Sequence, residues 1–123
     1  MKKTQLVIRI LLGLMVLIFG LNKFLQFMPM PPMPAAAAEF MGALMKTGYI
    51  MPIVAIVEIF VGISLLVNKY TSLTLVILFP VILNAFLFHL FLDITGIGGA
   101  FFALGMNVFL MIASKNSYSE LLK

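Results

Sequence analysis

Residues 50–67 read IMPIVAIVEIFVGISLLV, an apolar run broken only by Glu58. Crossing a bilayer as a helix takes about 20 mostly apolar residues, so this run reads as a membrane span. Three further stretches meet the same test. One runs over about 5–27, with an uncharged centre from Ile10 to Asn22. Another covers about 71–91 and carries no formal charge, with His89 near its end. The last, about 97–114, is also uncharged. The connections agree with this division. Asn68, Lys69 and Tyr70 leave room only for a tight turn, which makes the flanking helices antiparallel neighbours. Residues 93–99, DITGIGG, form a second short link, with glycines where the backbone leaves and re-enters helix.

The long connection is different in kind. Residues 28–34 read MPMPPMP and cannot be helical, because proline removes backbone donors and restricts the residue before it. Residues 35–46 then read as a short helix with Phe40, Leu44, Met41 and Met45 on one side. It is too short to span and is expected to lie on the interface or dip into it. The expected fold is an all-α integral membrane four-helix bundle, a single domain over 1–123, with this short interfacial or re-entrant helix between the first two spans. Lys2 and Lys3 before an apolar run, with Ala35–Ala37 downstream, have a superficial likeness to a cleaved leader. The alanines lie far beyond the run, across Asn22, Lys23 and several prolines, so the first segment is expected to stay as a helix.

Composition sets the same class. Of 123 residues 63% are hydrophobic and 10% charged, and the mean hydropathy is +1.21. Soluble domains carry about a quarter charged residues, so there is too little polar surface here to cover a soluble globule. Disorder is excluded by the same numbers, since it needs low hydrophobicity and high charge. The chain has no cysteine, which removes disulfides, thiolate nucleophiles, iron–sulfur clusters and Cys-based zinc sites. The net charge of +4 is thinly spread and speaks to orientation in a membrane rather than to nucleic acid. With the N-terminus inside, the cytoplasmic side receives Lys2, Lys3, Arg9, Lys69, Lys115 and Lys123, against Lys23 and Lys46 outside. The expectation is therefore N-in and C-in, with the Pro/Met loop outside.

Ionisable and amide groups inside the spans mark candidate function, because hydrocarbon penalises them. Glu58 lies about 12 Å below the outer end of its helix at 1.5 Å per residue. Lys23, near the outer end of the first helix, can reach down to it, and Asn22 is adjacent. Asn84 sits at a similar depth on the third span, with His89 and Asp93 above it. His89 and Asp93, four apart, share a face if that helix continues far enough. Asn107 is near the middle of the last span. Arg9 is close enough to the inner face to snorkel. Glu58 and His89 are the candidate proton-handling residues, and Asn22, Lys23, Asn84, Asp93 and Asn107 the candidate binding residues. The competing reading makes the same groups structural glue between helices.

Metal is not expected. A single histidine rules out a multi-His site within one subunit, and Met28, Met30 and Met33, soft enough for copper(I), more simply serve as loop and packing residues. Pro80 interrupts the third span, and Pro52 falls in the first turn of the second, where it is harmless. Gly13, Gly20 and Gly62, with the pairs Gly96/Ala100 and Gly99/Ala103, are small enough to let helices approach. Those small-residue faces permit a homodimer. No phosphate-binding loop, dinucleotide fingerprint or Ser/His/Asp constellation is present.

Several of these elements together carry a family resemblance. Arg9-Ile-Leu-Leu-Gly13 leading to Phe19-Gly-Leu-Asn-Lys-Phe24 resembles the opening of DoxX family membrane proteins. Glu58 followed by Gly62-Ile-Ser-Leu-Leu66 is similar as well, as is the stretch from Phe79 through His89 to Asp93. The resemblance covers nearly the whole chain, with its elements in order. It implies a four-helix membrane bundle whose relatives include proteins linked to thiosulfate:quinone oxidoreductase and to redox or oxidative-stress partners. From that follows an expectation of a redox-associated subunit in the bacterial inner membrane, quinone-facing or partner-anchoring, with a polar pocket in the outer half of the bundle. Quinone is the cofactor class it points to, and membrane-associated redox proteins are the partners. The chain has no haem or flavin motif of its own, so any enzyme activity belongs to a larger membrane oxidoreductase. The alternatives are a small proton-coupled transporter using Glu58 and a non-catalytic scaffold.

Overall fold

A computed structural model describes residues 2–28 and 32–122; Met30 of the MPMPPMP run and Lys123 lie outside the described residues. The chain forms α1 (Lys2–Leu25), α2 (Ala35–Lys46), α3 (Ile50–Val67), α4 (Thr71–Phe91) and α5 (Ile97–Ala113), with short 3₁₀ segments at Ile94–Gly96 and Lys115–Leu122. Four of the helices, α5 counted with its 3₁₀ lead-in, are long and apolar enough to cross a membrane. Helix is what such sequences must adopt in lipid, where no water satisfies the backbone. The result is an all-α membrane bundle.

Each boundary has a local cause. Helix α1 starts earlier than expected and stops at Leu25, because Gln26 takes a left-handed conformation (φ 50°). Asn22 assists by accepting the Met28 N–H with its side-chain oxygen at 2.8 Å, which folds residues 26–28 back on the helix end. Thr47 ties α2 to α3, its hydroxyl donating to the Leu44 carbonyl and accepting from the Ile50 N–H. Asn68 ends α3 in the left-handed region, a conformation asparagine tolerates better than most residues. Behind that turn the buried Ser64 hydroxyl donates to the Lys69 carbonyl and meets the Thr74 hydroxyl at 3.0 Å. Helix α4 runs without a break through Pro80, whose ring lies on an exposed face.

The spans run up and down in sequence. Arg9 meets Leu65, Gly13 meets Gly62 and Gly20 meets Ala55, so α1 and α3 are antiparallel over their length. Asn107 reaches Leu75 and Phe101 lies beside Phe86, which pairs α4 with α5 in the same sense. The starts of α1 and α4 and the ends of α3 and α5 therefore share one end of the bundle, the termini end. Helix α2 and the link at 92–96 occupy the other, the loop end.

The core follows helical spacing: Leu12 and Val16 from α1, Val61 and Leu65 from α3, Leu75, Leu78 and Ile82 from α4, Ala103 and Leu110 from α5. Large apolar side chains such as Leu11, Ile56, Phe60, Leu73 and Phe102 point outward, as a lipid-facing surface requires. Helix α2 turns Ala37 fully inward and leaves Phe40, Met41 and Leu44 half-buried, while Met45 faces out. Phe40 stacks on Phe88 of α4 with ring centroids 5.7 Å apart. At the termini end Tyr118 donates to the Ser72 carbonyl at 2.7 Å, pinning the C-terminal segment to α4. Burial raises that phenol above the usual tyrosine range, against the opposing pull of the hydrogen bond.

Candidate functional site

Two lipid-embedded helices gain nothing by hiding apolar surface from each other, so close backbone packing has to hold them. The α1–α3 seam is built that way. A Cβ on Gly62 would stand 2.7 Å from Leu17 Cβ and 2.9 Å from the Gly13 carbonyl oxygen. One on Gly20 would stand 3.0 Å from the Ala55 carbonyl oxygen and from Glu58 Cβ. These glycines let the helices meet, and near the loop end of the seam Glu58 and Lys23 come together. Lys23 Nζ lies 2.7 Å from Glu58 Oε1. Glu58 is 7% exposed, while the lysine side chain keeps 24% of its surface. At that separation the two side chains form a close carboxylate–ammonium ion pair. In so apolar a setting that attraction is strong, and so is the cost of leaving the buried Glu58 without its lysine.

His89 stands apart from this pair. Helix α4 ends at Phe91, before Asp93, so the two do not share a helical face. Instead His89 Nδ1 is 3.0 Å from the backbone carbonyl oxygen of Asp93. The buried Asp93 carboxylate accepts from the Thr95 hydroxyl. Phe88 meets the imidazole edge-on at 5.2 Å, and Gly96 lies directly against the ring. A Cβ at Gly96 would collide with the imidazole carbon Cε1 and sit 2.6 Å from Nδ1. Gly96→Ala is therefore expected to turn the ring and break its bond to the Asp93 carbonyl, a loss of about 1–2 kcal/mol. Because His89 is the chain's one histidine, its imidazole NMR signals report the change without assignment. Unshifted signals in Gly96→Ala would contradict the contact.

The remaining candidates are dispersed. Asn107, with no exposed surface, donates from Nδ2 to the Leu75 carbonyl at 3.2 Å and to Met111 Sδ, which braces α5 against α4. Its Oδ1 is buried without a hydrogen-bond partner. Asn84 lies on an exposed face of α4, and Asn22 is taken up by the turn after α1. Among the described residues no hydrogen bond or ion pair joins the Lys23–Glu58 pair to His89, Asp93, Asn84 or Asn107. No group of three or more His, Cys, Asp or Glu able to hold a metal occurs among the described residues either.

Sequence reading missed the termini end. There a cleft of about 350 Å³ opens between the helix ends, with Lys2 and Arg9 among its walls. Arg9 does not simply extend toward the surface: its guanidinium donates to the Leu65 carbonyl of α3. Nothing in the side-chain pattern signals a backbone acceptor or a space assembled from the ends of several helices.

A multi-pass membrane bundle with a carboxylate–ammonium pair across its first two spans is the class that fold and site define. A family model described as DoxX matches residues 4–90, well over half the chain, and the protein belongs to the DoxX family. The match takes in Lys23, Glu58 and His89 and stops before Asp93, α5 and Asn107. No curated protein and no solved structure matches the chain.

Proposed function

We propose that this DoxX-family chain is a partner-anchoring membrane subunit of a redox assembly, in the bacterial inner membrane with both termini inside. The observation that carries the reading is how the polar groups within the bundle are used. Glu58 is held by Lys23, and Asn107 and His89 each bond a backbone carbonyl. Groups committed in this way brace helices, and electron transfer then belongs to a bound quinone or to a partner that docks on the subunit. The excess of Lys2, Lys3, Arg9, Lys69 and Lys115 at the termini end over Lys23 and Lys46 at the loop end supports the orientation. Transport coupled to Glu58 would need the carboxylate to leave its partner and face each side in turn, and the tight pair with Lys23 works against it.

The test compares thiosulfate-dependent reduction of a short-chain quinone by membranes with and without the chain, and by the purified chain alone. The expected result is activity that depends on the chain in membranes while the purified chain turns nothing over. Turnover by the purified chain, or membranes indifferent to its presence, would overturn the reading.

A further inference from the structure

The cleft at the termini end lies at the opposite end of the bundle from Lys23 and Glu58, and its chemistry is different. Arg9 and Lys2 stand in its walls, and no carboxylate does. Asn68, Thr71 and Ser114 add neutral polar groups, while Leu65, Leu75 and Leu110 supply an apolar side. At about 350 Å³ it falls at the lower end of the range for small-molecule sites, roughly 300–1,000 Å³.

Arg9 gives the space its direction. An arginine that merely snorkels extends its head into water. This one is half-buried and crosses to α3, where it donates to the Leu65 carbonyl. A guanidinium has several further N–H groups in a planar fork, which match two oxygens of a phosphate at once. Thr71, in the same lining, opens helix α4, whose first turn has no side-chain cap, and unsatisfied amides at a helix start favour an anion. A neutral ligand would leave the two cations unmatched, and the leucine side offers contact to an apolar part beyond the anionic group.

We propose that this cleft binds the phosphoryl head of an anionic amphiphile, with Arg9 as the principal contact, Lys2 as a second charge and the leucines against the first part of the apolar chain. The phosphoryl group can come from a membrane phospholipid or from a soluble phosphate compound. The proposal is independent of the redox reading, since it concerns the other end of the bundle.

The experiment uses the full chain in nanodiscs of phosphatidylcholine, with phosphatidylglycerol added in one arm and inorganic phosphate in the other. Native mass spectrometry counts retained lipid, and thermal unfolding reads stabilisation. One phosphatidylglycerol is expected to be retained per chain in preference to phosphatidylcholine, with a rise in melting temperature of several degrees. Arg9→Gln should cut that retention at least tenfold and Arg9→Lys only partly. Lys3→Gln, an exposed change outside the cleft, should leave it alone. Should Arg9→Gln weaken the fold by releasing Leu65, Lys2→Gln at the exposed helix start provides a second reading, with an expected loss of a few-fold. Stabilisation by inorganic phosphate alone that Arg9→Gln removes would support the site and assign its ligand to the soluble source. Equal retention of the two lipids with no effect of phosphate, or retention unchanged in both Arg9→Gln and Lys2→Gln, would overturn the proposal.

Discussion

Lys23→Met is expected to destabilise the bundle by about 3 kcal/mol, the lower end of what breaking a buried ion pair removes. The variant strands Glu58, 7% exposed between α1 and α3, without its ammonium. Glu58→Leu is expected to cost less, about 1 kcal/mol, because the lysine left behind is already a quarter exposed and its stem can carry the charge to the interface. The double variant should return to within about 1 kcal/mol of the parent, since apolar replacement of a whole buried pair is often neutral. Reversible unfolding of the four proteins in detergent closes the cycle and isolates the coupling between the side chains. Simple addition of the two losses would mean that the residues act independently and that the 2.7 Å contact does not hold the seam.

The second large effect is at Gly62. A methyl there meets Leu17 Cβ at 2.7 Å and the Gly13 carbonyl oxygen at 2.9 Å, and the second of these is backbone that no rotamer change can move. Gly62→Ala is expected to push α1 and α3 apart at a cost of about 2–3 kcal/mol, the upper part of the range for overpacking. Gly105→Ala supplies the contrast. Its Cβ meets nothing within 4 Å, and alanine is the better helix former by about 1 kcal/mol. The same substitution should thus destabilise at one glycine and stabilise at the other. Equal melting shifts for both variants would show that the seam is looser than the glycine contacts require.

That contrast also marks how far the sequence could be read. The spans were legible because a run of apolar residues of membrane length allows few other structures, and the break after Val67 shows directly as Asn68-Lys69-Tyr70. The Lys23–Glu58 pair was legible too, since opposite charges at reachable depths on adjacent spans have few other partners. Rotation of the helices was not. Helix α4 is apolar nearly all round, so its sequence does not say which side faces inward, and Asn84 turns out on an exposed face despite its polarity. The glycines are equally ambiguous. Gly13, Gly20 and Gly62 fill the seam, whereas Gly98, Gly99 and Gly105 face open space with the same signal in the sequence.

Backbone acceptors account for most of what else was hidden. His89 finds the carbonyl of Asp93 rather than its carboxylate, Asn107 finds that of Leu75, and Arg9 that of Leu65. Every residue carries a carbonyl, so no residue type announces these partners. Residue types therefore indicated which side chains would need satisfying inside the membrane, and only the packed bundle shows what satisfies them. Those three hydrogen bonds, together with the Lys23–Glu58 contact, are what supports the proposed reading of these groups as braces.

On the proposed reading, Lys23 and Glu58 hold the subunit together and do not carry its chemistry. The most direct measurement is the thiosulfate-dependent quinone reduction of membranes carrying the Lys23→Met/Glu58→Leu double variant, at expression matched to the parent. Activity equal to the parent's within about twofold is the result expected of a structural pair. Lost activity in a double variant that melts like the parent would contradict the claim and place the carboxylate in the reaction itself.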